Sequence, residues 1–205
     1  MRQFLCLGLL MLCLANACLL RAAEPDRFAN EQLGISITKP KDWHFSPVEL
    51  KAKNLESTQM DDQQLQELLQ KHAQVPLVLM TRYHEPYDDL NPSIKILVKP
   101  LPNPERFDPV DALEFMLSPV KRAYQDAKIV QAPEIVMLGK HRSAYAKVHY
   151  SLKTKDGKSF PTCSELWVVP HGDYCLIIGA GSNQQNDAAE HVEIAKAIES
   201  LELKP

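Results

Sequence analysis

From Ile129 onward the hydrophobic period of this chain changes from helical to two, and it stays near two for about fifty residues. Segments 133–138, 143–152, 160–169 and 174–179 read as strands. They are joined at Gly139-Lys140-His141-Arg142, at Asp156-Gly157 and at Pro170-His171-Gly172-Asp173. Parallel neighbours need a crossover of roughly a dozen residues or more. Links this short connect only antiparallel neighbours, so this half of the chain must form a meander.

Helical and strand signals elsewhere surround that meander. Segment 33–38 alternates, with Ile35 and Ile37 on one face, and ends in the turn Lys39-Pro40-Lys41-Asp42 before Trp43 and Phe45. Residues 51–60 are polar and pattern-poor. Asp61-Asp62 then opens a short amphipathic helix with Leu65, Leu68, Leu69 and His72 at helical spacing, which Pro76 stops. Segments 77–83 and 93–99 read as a strand pair joined by His84-Glu85-Pro86-Tyr87-Asp88-Asp89-Leu90-Asn91-Pro92. Asp108-Pro109 supplies a helix cap and a pre-set first φ, and Val110, Leu113, Met116, Leu117 and Val120 form an apolar stripe. Ser118-Pro119 repeats that grammar, so the reading is a kink or restart there and an end near Asp126. A last helix over 186–201 presents Ala188, Ile194, Ala195, Ile198 and Leu201 as its buried face. The order predicts an α+β domain, an antiparallel β-sheet meander with helices packed on its faces.

Residues 1–17 read as an export signal. Arg2 precedes an unbroken apolar run over 4–14, and Ala15-Asn16-Ala17 places small residues three and one positions before the 17/18 bond. The run is too short to span ~30 Å of hydrocarbon, and nothing later in the chain approaches the length needed. Cleavage is expected after residue 17, with 23 as its latest position, leaving 24–205 as a single domain. The expected location is the bacterial periplasm or cell envelope. Leu14-Ala15-Asn16-Ala17-Cys18 also resembles a lipoprotein signal in which Cys18 is acylated, although its leucine sits one position early. Membrane attachment is expected only through such lipidation. Asn91 is followed by Pro92, which spoils the one N-glycosylation sequon and favours a bacterial setting.

The formal charge of the whole chain is −3, and every acid follows residue 23, so removing the leader with Arg2 makes the remainder slightly more acidic. Such a surface argues against nucleic acid as a partner. With 45% hydrophobic and 24% charged residues, the composition is that of an ordinary globular protein.

Export invites disulfides, yet the predicted hairpin separates the two cysteines outside the leader. Pairing Val169 with Tyr174 sets Cys175 opposite Val168 and Cys163 opposite Ala180. The thiols then lie roughly 16 Å apart, at ~3.3 Å per residue, on opposite faces of the sheet. A disulfide needs Cα atoms within about 7 Å, so two free thiols are expected.

The segment Gly34-Ile35-Ser36-Ile37-Thr38-Lys39-Pro40-Lys41-Asp42-Trp43, the central helix, and the meander followed by a helix ending Ile198-Glu199-Ser200-Leu201 together resemble the PsbP-like superfamily. That group includes the thylakoid-lumen extrinsic proteins of photosystem II, a Ran-binding nuclear transport factor and the bacterial envelope protein DcrB. The resemblance spans residues 28–203 and implies a PsbP-like α/β/α sandwich. It also implies a fold used mainly to bind proteins, with no common active site to carry over. Nothing resembles chloroplast targeting, which leaves the bacterial envelope branch as the closer analogy.

Few residues carry a chemical signal. Gly179-Ala180-Gly181-Ser182-Asn183 precedes a helix as phosphate-binding glycines do, but no third glycine or second parallel strand completes the unit, and a tight exit turn accounts for it. His84, Glu85, Asp88 and Asp89 are the densest set of candidate metal ligands. Their spacing matches no known pattern, so no metal or other cofactor is expected and a solvated acidic loop is the plain alternative. Tyr83 and Tyr87 on the same proline-stiffened loop suit protein contact. His191 falls between Ala188 and Ile194 on the buried face at helical spacing and reads as a core or boundary histidine with one hydrogen-bonded nitrogen. No Gly-x-Ser-x-Gly elbow, His-Glu-x-x-His helix, Cys-x-x-Cys pair or Walker loop is present. The expected function is a non-enzymatic, exported domain binding an envelope protein. A small-ligand or divalent-metal carrier using the 84–92 loop is the alternative, and a hydrolase a distant third.

Overall fold

The computed structural model describes residues 26–47, 58–59 and 75–204. The expected leader, Cys18 and the expected helix over 61–72 lie outside them.

Eleven strands and two α-helices follow in chain order among the described residues: β1 Arg27–Asn30, β2 Ile35–Thr38, β3 His44–Phe45, β4 Thr58–Gln59, β5 Val78–Thr81, β6 Ser93–Pro100, α1 Pro109–Ala123, β7 Lys128–Leu138, β8 His141–Thr154, β9 Ser159–His171, β10 Tyr174–Asn183, α2 Asp187–Glu199 and β11 Glu202–Leu203, with one 3-10 turn at Pro104–Arg106 before α1. They form an eight-stranded sheet, β3-β5-β6-β10-β9-β8-β4 with β7 also on β8, and a three-stranded sheet, β1-β2-β11. The expected meander is β7 to β10, antiparallel throughout.

Alternation along β9 shows how the layers separate. Trp167 and Val169 join one core with Ile94, Ile96, Leu176, Ile178 and α2's Ile194 and Ile198, together with Ile35 and Ile37 of the small sheet. Val168, between them, joins the other core with Leu113 and Leu117 of α1. Successive strand residues point to opposite faces, so α1 and α2 cover opposite sides of one sheet as an α/β/α sandwich. Ala144, Ala146 and Val148 of β8 lie in α1's core. Small side chains there let the helix sit close to the sheet.

Asp108 caps α1 as expected, its carboxylate accepting from the Val110 and Asp111 amides. The helix does not restart at Ser118-Pro119 but runs through Pro119 and ends at Ala123. Pro119 lies in the last two turns, where only one intrahelical donor is lost. On α2 the buried face is Glu190, Ile194, Ala197 and Ile198, whereas Ala188 is exposed and Ala195 half-buried. One acid, Glu190, thus belongs to the buried face, which keeps Ile194 and Ile198 of the expected stripe.

The β9–β10 register differs from the expected one by two residues. Tyr174 pairs with His171, Cys175 with Pro170 and Cys163 with Ser182, leaving Gly172-Asp173 as a two-residue turn with Gly172 at φ +54. A shift of two preserves face parity, so both cores are unaffected and the cysteines move further apart. Both are buried, and no disulfide joins them. The Gly179–Asn183 run is not an exit turn; it lies inside β10. A Cβ on Gly179 would come within 2.9 Å of the Lys95 side chain, so the glycine makes room for a lysine stem crossing from β6.

Among the described residues no helix is long and apolar enough to cross a membrane.

Candidate functional site

The β5–β6 connection is a built loop. Its base is closed by the Arg82 amide donating to the Pro92 carbonyl at 3.0 Å, one step beyond the last ladder pair, Thr81 with Ser93. Asn91 then takes the place of a further strand residue. Its Oδ1 accepts from the Tyr83 amide at 3.0 Å, and its Nδ2 donates to the Tyr83 carbonyl at 2.8 Å and to Glu85 Oε1 at 2.9 Å. Glu85 Oε2 accepts from the Tyr87 amide at 3.1 Å, across a cis Glu85–Pro86 bond. One asparagine and one glutamate therefore satisfy backbone groups that the ladder has left behind.

This scaffold stacks Tyr83 on Tyr87, with ring centroids 4.3 Å apart and planes 13° from parallel. The two residues remain 38% and 37% exposed. The Arg82 guanidinium lies over the Tyr83 ring at 5.6 Å. Burial first, then Tyr83 and Asp89, push the Tyr87 phenol above its ordinary value, and Glu190 adds to the effect.

Two contacts tie the loop to the rest of the fold. Arg82 reaches α2, 3.3 Å from Glu193 and 4.0 Å from Glu190. Glu193 also accepts from the Trp43 indole at 3.0 Å, and Glu190 from the Asn183 amide at 3.1 Å. Trp43 is buried because the preceding turn, with its amide on the Pro40 carbonyl and Asp42 at φ +64, aims it inward. On the other side, His84 stacks on His44 of β3 at 3.8 Å. His44 Nε2 lies 2.9 Å from the Thr81 hydroxyl, itself 2.5 Å from Ser46 Oγ. One consistent proton arrangement has Thr81 donating to the Tyr83 carbonyl and accepting from Ser46 and His44.

The candidate metal ligands are not brought into one coordination set. His84 faces His44, Glu85 holds the loop backbone, Asp89 Oδ1 accepts from the Leu90 amide at 2.7 Å, and Asp88 is exposed. Among the described residues no group of three or more histidine, cysteine or acidic side chains converges. His191 has its Nδ1 on Glu165, the one-bonded boundary histidine expected of it.

Sequence pattern does not mark Arg82 and Asn91 as parts of this surface, or the buried Trp43 as a support behind it. Asn91 before Pro92 was a turn signal, but its pairing with Tyr83 needs the loop closed. On the other side of the sheet a surface groove of about 490 Å³ runs between α1 and β10, with Val168, Cys175 and Ile177 as floor and Met116 beside it. Phe115, 80% exposed, stands at its edge.

No family model matches the chain. No curated protein matches it at the level of sequence. Solved structures do share the fold. The PsbP of a Synechocystis cyanobacterium, CyanoP, superposes with a TM-score of 0.52 at 12% identity, covering 93% of this chain and 99% of that one. LpqN of Mycobacterium tuberculosis, described as involved in cell envelope biogenesis, superposes at 0.50 with 14% identity over 83% of each chain. A Bacteroides thetaiotaomicron protein gives 0.49 at 15% identity over 89% of this chain, which spans about half (49%) of that protein's length. The chain has the PsbP-like fold.

Proposed function

We propose that this chain is an exported, non-catalytic binding domain of the bacterial cell envelope, and that its contact surface for another envelope protein is the loop from Arg82 to Pro92. The observation that carries the reading is the exposed, parallel Tyr83–Tyr87 pair on a loop whose backbone is held by Asn91 and Glu85. Aromatic side chains with few rotatable bonds, presented by a rigid support, lose little entropy on binding and are enriched in interface cores. A merely solvated acidic connection needs neither the stack nor the asparagine bracket. LpqN, which shares the fold, is itself described as acting in envelope biogenesis, and supports the compartment.

The test is affinity capture from envelope extract with the chain and with its Tyr83→Ala/Tyr87→Ala form, followed by mass spectrometry. A partner enriched by the first and lost by the second supports the reading. Identical captures by both forms would remove the loop as contact surface.

A further inference from the structure

Resting on the loop as contact surface, we infer that the Tyr83–Tyr87 stack receives an arginine side chain from a basic segment of the partner, with Asp88 and Asp89 as its counter-charges. The stack already shows what chemistry it takes, because the protein's own Arg82 guanidinium lies over Tyr83 at 5.6 Å. A cation over a tyrosine face is drawn by the ring quadrupole, and the planar guanidinium also stacks. Tyr87 offers a second ring of the same kind, parallel to the first and exposed.

The electrostatics favour a cation over any other occupant. Residues 83–92 contain Glu85, Asp88 and Asp89 and no lysine or arginine. Arg82 leaves little positive charge at the surface, since Glu193 and Glu190 of α2 stand against it. The Tyr87 ring senses the resulting field: Asp89 and Glu190 both disfavour a negative charge on its phenol. A nucleic acid or acidic segment would meet like charge here, and a wholly apolar segment would strip water from Asp88 and Asp89 without pairing them. An arginine satisfies the rings and the carboxylates at once. Among the described residues neither acid is tied up by the fold beyond the short Asp89–Leu90 contact, which an asparagine can also make.

The experiment uses the isotopically labelled chain and three capped peptides, Gly-Arg-Gly-Arg-Gly, its citrulline counterpart and its glutamate counterpart. Tyr83 and Tyr87 ring resonances are followed during titration. The arginine peptide should shift both rings saturably, and citrulline, which keeps the shape without the charge, should bind about twofold to fivefold more weakly, the factor expected of ~0.5–1 kcal/mol at an exposed site. Tyr87→Phe should retain binding, whereas Tyr87→Leu and the Asp88→Asn/Asp89→Asn pair should each lose a similar factor. Unchanged melting of each variant shows that the fold is intact. Equal binding of arginine and citrulline peptides, or rings that do not move, would overturn the inference. If Tyr87→Leu also loses the captured envelope partner while the arginine peptide leaves the rings unmoved, the loop stands as contact surface and the arginine is wrong.

Discussion

His191 Nδ1 lies 2.8 Å from the Glu165 carboxylate, so a half-exposed residue of α2 holds an acid that is only 1% exposed in β9. The same carboxylate oxygen accepts from the Tyr145 hydroxyl at 2.5 Å. Glu165 sits on the inward parity of β9, between Cys163 and Trp167, where an unpaired charge is very costly. The histidine therefore stitches helix to sheet while giving a buried carboxyl group a second hydrogen-bond partner beside Tyr145.

Removing that stitch should weaken the fold without touching the tyrosine loop. His191→Ala is expected to cost on the order of 1–3 kcal/mol, the range for leaving a buried acceptor short of a partner. A urea-denaturation cycle with Glu165→Ala should return a coupling between the two of roughly 0.5–3 kcal/mol. Additive losses would show that the contact contributes nothing.

Leu113 is fully buried between α1 and β8 and β9. Leu113→Ala should destabilise by about 2–5 kcal/mol, with the higher end reached if the cavity does not collapse. Differential scanning calorimetry of the variant checks this, and an unchanged melting temperature would contradict the packing.

Acid should weaken the fold in two stages. Burial first, then His171 and Lys140, hold the His141 imidazole below its ordinary value. The unfolded chain therefore binds that proton first, so the stability due to neutral His141 is present above about pH 6.5 and falls as pH drops toward the folded value. Asp108 is lowered chiefly by its bond from the Val110 amide, and its contribution is present above about pH 4 and lost below. Urea midpoints at pH 7.5 and 5.5 should differ less in His141→Asn than in the native chain.

Neither thiol should react readily or crosslink. Cys163 and Cys175 are both buried, and burial raises the Cys175 thiol above its ordinary value, further reducing its thiolate. With Cys163 opposite Ser182, the two are seven residues apart along the hairpin, roughly 23 Å at ~3.3 Å per residue. Alkylation should label both only after denaturation, and an unreduced digest containing a 163–175 bridge would refute the register.

Local pattern alone determined a good deal of this protein. The period-two run and its short turns dictated the β7 to β10 meander, Asp108-Pro109 dictated where α1 begins, and the alternation of Cys163, Glu165 and Trp167 dictated which side chains share a face. Each follows from nearest-neighbour geometry. Tertiary structure decided what such geometry leaves degenerate. A two-residue shift of the hairpin keeps every face, so alternation could not distinguish the Val169 pairing from the observed His171 pairing with Tyr174. The strands Arg27–Asn30 and Glu202–Leu203 are too short to carry a period; β1 pairs with the neighbouring β2, whereas β11 joins that sheet from a long stretch of chain away, where Glu202 meets Arg27. The same holds at the loop, where Tyr83 and Tyr87 were visible as residues. Their parallel stack rests on Asn91 bonding back to Tyr83 once the loop has closed, and on Arg82 reaching α2, a partner far along the chain that it meets only once the sheet and helix have packed.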